Sequence, residues 1–428
     1  MPTFDLPSLL RNWRGALARV EECGLLLLAF FLFYKQDVPH VWRGVLVLLL
    51  VIGLVRRIGR PGFLHGVGQT LRGARGRRVG VGLLLLFGWI LALGVATLTR
   101  APEQLTVFTY QVILPSLAVP LLLASFASSY NQARLARVMA WSGVMLISLN
   151  LLQYLGEIHQ LGRVPDDISA HRRYGDGLIV VLPFMLARVF EAVSASRRVA
   201  WLGGVALGLV MLMLTGMRGA WLGFALAFAV AVWAARPLLP ARIASRGLLA
   251  LALVLVPCGL LAPPSLVKDR ILAGASTSLR AHGTWGPALS MIRERPLTGF
   301  GFGDAVFHRE FNQRAPANRQ WSVGYSVGAH SSYLSTAFAG GLPALMLYGI
   351  LLAGLIATLL HRAWIGLRSD SPARRQHALA GLTIVTALLA SYGIHGLTET
   401  KAWEPLILLV GIALAWLAVP PPEGDGRG

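Results

Sequence analysis

Charge is what this chain has least of. Only 14% of its 428 residues are Asp, Glu, Lys or Arg, against about 25% in soluble domains. Hydrophobic residues make up 55% and mean hydropathy is +0.62. Such a depleted chain with many apolar runs reads as an all-α integral membrane protein. Acids are scarcer than bases, 19 Asp and Glu against 39 Lys and Arg, for a net charge of +20. Yet there is no basic low-complexity tail and no nucleic-acid motif, and the arginines fall between apolar runs, where they set topology. Nucleic acid is therefore not an expected partner. Cysteine is nearly absent. Cys23 and Cys258 are expected near opposite faces of the membrane and so do not pair. No C-x-x-C or Cys/His cluster points to a metal. Heptads and internal repeats are missing, and the short tail PPPEGDGRG is the single low-complexity tract.

What is present is a series of about twelve apolar runs, at 20–36, 41–55, 79–99, 107–126, 136–155, 176–192, 199–216, 219–235, 247–262, 332–360, 378–395 and 404–419. Several fall short of the ~20 residues that a span usually needs. The first follows basic residues Arg11, Arg14 and Arg19 with no clear small-residue cleavage site, so it reads as a retained helix and not a removed leader. The division is a transmembrane region of about nine helices over 1–262, a large loop over 263–329, a region of about three helices over 330–419, and a tail over 420–428. Segment 56–78 carries seven Arg and no acid, and further basic loops hold Arg197 and Arg198, then Arg236, Arg242 and Arg246, and finally Arg362, Arg368, Arg374 and Arg375. With twelve spans all of these lie beside both termini, which puts that side in the cytoplasm. The large loop then faces outward, into the periplasm of a Gram-negative cell.

The outward side collects the unusual polar groups. Segment 156–175 holds Asp166, Asp167, His171, Arg172 and Arg173, and the turn HGLTETKAWEP holds His395, Glu399, Lys401 and Glu404. Arg172 and Arg173 are candidate substrate contacts. Arg218, in TGMRGAWLG, sits between two apolar runs with almost no loop. A cation at that depth is costly unless it meets a partner or water. It is either an interfacial arginine on a lipid phosphate or a carboxylate, or a cation aimed at an anionic substrate. Arg280, in LRAHGTW, is by default a solvated loop residue. Trp285, five residues on, suggests a short amphipathic helix on the membrane surface with the indole at headgroup level.

His330 opens the helix SSYLSTAFAGGLPALMLYG. A histidine there is commonly structural, but an imidazole titrating near neutrality is also a natural general base. Gly340, Gly341 and Pro343 predict a kink or break in that helix. The Gly299–Gly303 stretch, GFGFG, lacks the Lys-Ser/Thr of a phosphate loop and reads as a tight turn. Asp166–Asp167 is not an Asp-x-Asp metal motif. Asp304, Glu310 and Glu399 each fit a nucleophile, an ion-pair partner or a surface group, and the sequence does not choose among these.

These features resemble a known group. An outward Arg between two helices, a long outward loop with Arg, Trp and PLTGFG, and then HSSYL with GG about ten residues on, look like the O-antigen ligase family. The resemblance extends to O-antigen polymerases and bacterial protein O-oligosaccharyltransferases. It implies a GT-C-type glycosyltransferase of the bacterial inner membrane with its active site toward the periplasm. The implied donor is a glycan on undecaprenyl pyrophosphate, the acceptor is lipid A–core oligosaccharide and the product is lipopolysaccharide. The family's essential arginines carry over to Arg218 and Arg280 and its essential histidine to His330; Trp285 joins Arg172 and Arg173 as a candidate substrate contact outside that carry-over. Ser331 stands where Asn is common in relatives. Arginines that meet a pyrophosphate leaving group and a His330 base imply inverting transfer with no metal or other cofactor. The alternatives are an O-antigen polymerase, with a second lipid-linked glycan as acceptor, and a transporter or flippase of lipid-linked sugars. Protein O-oligosaccharyltransferases usually continue into a C-terminal periplasmic domain, which is not expected after 404–419.

Overall fold

The computed structural model describes residues 16–17, 19–28, 39–57, 73–125, 129–163, 171–236, 279–321, 326 and 328–420. Among the described residues every regular element is helical. The principal helices are α1 (Pro39–Arg57), α2 (Gly73–Arg100), α3 (Leu114–Ser125), α4 (Ser129–Leu161), α5 (Arg172–Glu191), α6 (Ala195–Leu214), α7 (Arg218–Ala235), α8 (Trp285–Glu294), α9 (Asp304–Arg314), α10 (Ser332–Leu367), α11 (Pro372–Leu388) and α12 (Trp403–Ala418).

Seven described stretches are long and apolar enough to cross a membrane: Gly76–Arg100, Pro102–Leu123, Gln132–Leu161, Ala195–Leu214, Arg218–Ala235, Ser332–Leu367 and Pro372–Leu397. They coincide with seven of the expected runs. The runs at 41–55 and 404–419 fall on shorter apolar helices, Arg43–Gly53 and Trp403–Ala418. The run at 176–192 is the helix α5, which is not among the seven. The run at 247–262 and the residues 29–36 of the first run lie outside the described residues, as do Asp166, Asp167 and Cys258. The protein is an integral membrane protein with transmembrane helices.

α2 shows why these helices suit a bilayer. Leu84, Leu91 and Leu98 are more than half exposed along one stripe, while Leu86, Trp89 and Leu93 on another face are fully buried. A helix apolar all round fits where one face meets the protein and the other meets lipid. α12 is the extreme case. Every residue from Trp403 to Leu417 is buried, because α2, α3, α10 and α11 all pack on it.

The two ends of the bundle differ. At one end Arg362 Nη1 donates to Leu417 O at 2.7 Å. The opposite end holds the start of α5, the α6–α7 turn, the large loop and the start of α10.

α10 breaks as its sequence predicts. Gly341 has φ 73° and ψ −174° inside it. Pro343 has no N–H to offer Ala339 O, the bond it would make in a straight helix. Gly301 N takes that place at 2.9 Å, Phe300 N donates to Phe338 O at 2.8 Å, and Leu342 N donates to Pro296 O at 2.6 Å. The Pro296–Gly303 segment thus completes the helix bonds that the break leaves open, groups whose burial unpaired costs ~1–3 kcal/mol each. Gly299 and Gly301 have φ 62° and 98°, which a glycine adopts without strain. GFGFG is therefore a docking turn that fixes the loop to α10.

Candidate active site

The site grows from the first turn of α10. Ser331 caps the helix, accepting from Leu334 N at 3.4 Å, as an N-cap serine does. His330 precedes it with φ 46°, the one described non-glycine residue in the left-handed region. Such strained backbone persists where surrounding structure holds it. Here the holder is the 395–401 turn. Ser331 Oγ donates to Gly396 O at 3.5 Å. Ser332 Oγ donates to Glu399 O at 3.2 Å and accepts from Lys401 N at 2.9 Å. One turn on, Ser335 and Thr400 hydroxyls lie 3.0 Å apart.

This zipper sets His330 Nδ1 3.0 Å from Glu399 Oε2. The other carboxylate oxygen of Glu399 lies 3.7 Å from Arg172 Nη2. Burial alone would push the Glu399 carboxyl up. The hydrogen bond from His330, with the charges of His330, Arg172 and Lys401, outweighs this and holds it below the ordinary carboxylate range. An ionised Glu399 accepts, so Nδ1 carries the proton. In the neutral ring Nε2 then holds the lone pair, the form a general base needs. Behind Glu399, Lys401 is buried against Asp176 and His395. Burial draws its ammonium below the ordinary lysine value although Asp176 opposes this. Asp176 lies four residues after Arg172 on α5, so the Asp176–Lys401 pair braces the helix that presents Arg172.

The large loop comes to the same place. Trp285 Nε1 donates to the His330 carbonyl at 3.3 Å, and the Arg280 guanidinium lies over the Trp285 ring, 5.2 Å from its centroid. The expected short helix forms as a wide turn, Leu279–Thr284, running into α8. Its buried face turns inward. Ala288, Met291 and Ile292 pack with Phe300, Phe307, Phe311 and Phe338 in a small core of the loop, and the Trp285 indole meets the His330 carbonyl.

Arg218 begins α7. Gly216, two residues before it, has φ 63°, and Gly219 packs so closely on Thr398 and His395 that a Cβ there would collide with both side chains. The arginine therefore starts a helix pressed onto the turn that carries Glu399. His330, Glu399, Arg172, Trp285 and Arg280 form one contact chain, and the α7 start abuts it. Arg173 is the second residue of α5; its side chain lies outside the described residues.

The three open carboxylates separate. Glu310 pairs with Arg309 at 3.2 Å and Arg314 at 2.9 Å, a surface contact worth ~0–1 kcal/mol. Asp304 starts α9 and lines a neighbouring cavity. Glu399 meets the histidine. Asp176 was not singled out by sequence; its signal was the Arg172–Asp176 spacing of one helical turn. Among the described residues no three His, Cys, Asp or Glu side chains gather at metal-ligand distances.

Comparison with known proteins bears on this end of the molecule. Residues 203–349, from α6 through the loop to the middle of α10, match the family model described as O-Antigen ligase. A protein named O-antigen ligase from Salmonella typhimurium (strain LT2) is 22% identical over 410 residues, 91% of this chain and 94% of that protein. The matched segment contains Arg218, Arg280 and His330, so the likeness to the O-antigen ligase family model covers the residues of this site.

Proposed function

We propose that the protein is a GT-C-type glycosyltransferase that moves an O-antigen glycan from undecaprenyl pyrophosphate to lipid A–core oligosaccharide. It works in the bacterial inner membrane, with about twelve spans, both termini cytoplasmic and the reacting end toward the periplasm. The observation that carries the reading is the His330–Glu399 contact set among arginines on a membrane-embedded scaffold.

In the reaction, His330 Nε2 takes the proton of the acceptor hydroxyl as its oxygen attacks the anomeric carbon. The bond from that carbon to the pyrophosphate oxygen breaks, and the lipid pyrophosphate leaves with the electron pair. General-base help of this kind supplies ~10²–10⁴-fold. Glu399 orients the ring and balances the imidazolium that forms. Arg218 and Arg280 meet the charge growing on the leaving group; bidentate guanidinium–phosphate bonds suit that task, and two of them can supply several kcal/mol. Arg172, Arg173 and Trp285 assist binding. Direct attack inverts the anomeric centre, and arginine cations make a metal unnecessary.

The test is transfer by the purified full-length protein in proteoliposomes with excess chelator, given undecaprenyl-pyrophosphate glycan with or without lipid A–core. Glycan joined to lipid A–core, lost in His330→Ala and Arg218→Ala, is the expected outcome. Near-full transfer by folded His330→Ala would remove the base. Elongated lipid-linked glycan without lipid A–core would make the protein a polymerase, and donor crossing the bilayer unreacted would make it a transporter.

A further inference from the structure

A cavity of about 400 Å³ lies beside the histidine–glutamate pair, within the ~300–1,000 Å³ range of small-ligand sites. Ala329, Ser335 and Thr400 stand in its wall. They are the residue before His330, a residue just over one turn along α10, and the residue after Glu399. The cavity therefore adjoins the reacting end, and none of Arg172, Arg218, Arg280 and His330 lines it.

Its chemistry differs from the arginine side. Arg43 stands with the carboxylates Asp304 and Glu404 and the amide of Gln111 in the lining, while the ammonium of Lys401, also in the wall, is taken by Asp176. Its apolar lining is aromatic, with Phe302 and Trp403 side by side at 6.1 Å between ring centroids. A pyrophosphate calls for excess positive charge, and this lining has none. An acyl chain calls for a dry apolar wall, and this one carries charged groups. A sugar ring satisfies both halves. Its hydroxyl edge pairs with carboxylates, amides and hydroxyls, and its C–H face carries slight positive charge that suits the negative face of an aromatic ring.

The geometry points to this cavity as the subsite for a sugar ring of the acceptor, an uncharged polyhydroxylated saccharide unit whose reacting hydroxyl faces His330. The inference rests on the transfer reading above and divides the labour of the site: arginines hold the anionic donor, and this cavity holds the acceptor sugar.

The experiment uses full-length protein in lipid nanodiscs, without donor. The probe is lipid-free core oligosaccharide released from lipopolysaccharide by mild acid, and the readout is backbone hydrogen exchange. Saturable protection is expected over 302–307 and 400–404. Gln111→Trp, which fills the cavity, weakens it about tenfold or more, and the gentler Asp304→Asn weakens it less; in turnover both raise KM for the acceptor and leave kcat near wild type, as loss of uniform binding does. Protection of 279–294 by the undecaprenyl-pyrophosphate glycan stays unchanged in both variants. The inference is overturned if the oligosaccharide protects nothing, if both folded variants bind it as wild type does, or if they lose the donor instead. Wild-type protein that binds the oligosaccharide in this cavity yet makes no glycan–lipid A–core product would sink the transfer reading and leave the saccharide site standing.

Discussion

His330 Nδ1 and Glu399 Oε2 are 3.0 Å apart although 69 residues separate them in sequence. The contact fixes which ring nitrogen carries the proton, and so which nitrogen faces a substrate. Without a charged partner the imidazole can adopt either tautomer and turn. Glu399→Gln is therefore expected to lower kcat by roughly 10²-fold with little change in KM, within the range of general-base effects. Adding it to His330→Ala is expected to cost almost nothing more, since residues acting as a unit are not additive. Steady-state transfer kinetics of the two single variants and the double variant check this; a full second loss in the double would separate the two residues.

The same carboxylate makes stability depend on acid. Its folded pKa lies below the ordinary carboxylate range. Its contribution is then fully present above about pH 4.5 and disappears as pH falls through the lower folded value. Thermal midpoints in detergent, measured from neutral pH down to the acid range, should fall below pH 4.5 more steeply for wild type than for Glu399→Gln. Parallel curves would show that Glu399 is not held ionised.

The approach of α7 to the 395–398 turn leaves no room at Gly219. Gly219→Ala should destabilise by ~1–3 kcal/mol, as overpacking does. Thr398→Gly removes one of the two colliding side chains and should recover part of that loss. His395, the other, stays, so recovery is incomplete. A melting series on the four proteins of this cycle measures the coupling; independent effects would mean that Gly219 and Thr398 do not meet.

At the α10 break, a Cβ on Gly341 would stand 2.6 Å from the Leu297 carbonyl carbon, on a backbone with φ 73°. Gly341→Ala should cost at least ~1–3 kcal/mol from backbone strain alone and loosen the GFGFG turn. Faster hydrogen exchange at Phe300 and Gly301, whose amides bond Phe338 and Ala339, is the specific sign. A drop in melting temperature without that change would place the strain elsewhere.

Much of this was readable beforehand. Apolar runs gave the helices, because a bilayer core leaves a lone segment no other way to satisfy its backbone. Gly340, Gly341 and Pro343 foretold the break, since their effect is local. Glu399 was visible as a charge in HGLTETK but not as the partner of His330, and Asp176 drew no notice in RRYGDG. Their roles come from the packing of α5, α10 and the 395–401 turn, which no spacing along the chain reports. Trp285 is legible as an indole near a helix start, but not as a donor to the His330 carbonyl. The loop has an aromatic core of its own, and that core turns the indole toward His330.

By itself, then, the sequence determined the solvent of this protein, the sites where its helices break and the residue types available for chemistry, because hydropathy and backbone freedom act over a few turns of chain. Only the tertiary structure decided which charges meet. Long-range neighbours are chosen by how apolar faces pack, and the pairings of His330 with Glu399, of Glu399 with Arg172 and of Lys401 with Asp176 exist because α5, α10 and the turn before α12 are held together by contacts elsewhere in the bundle.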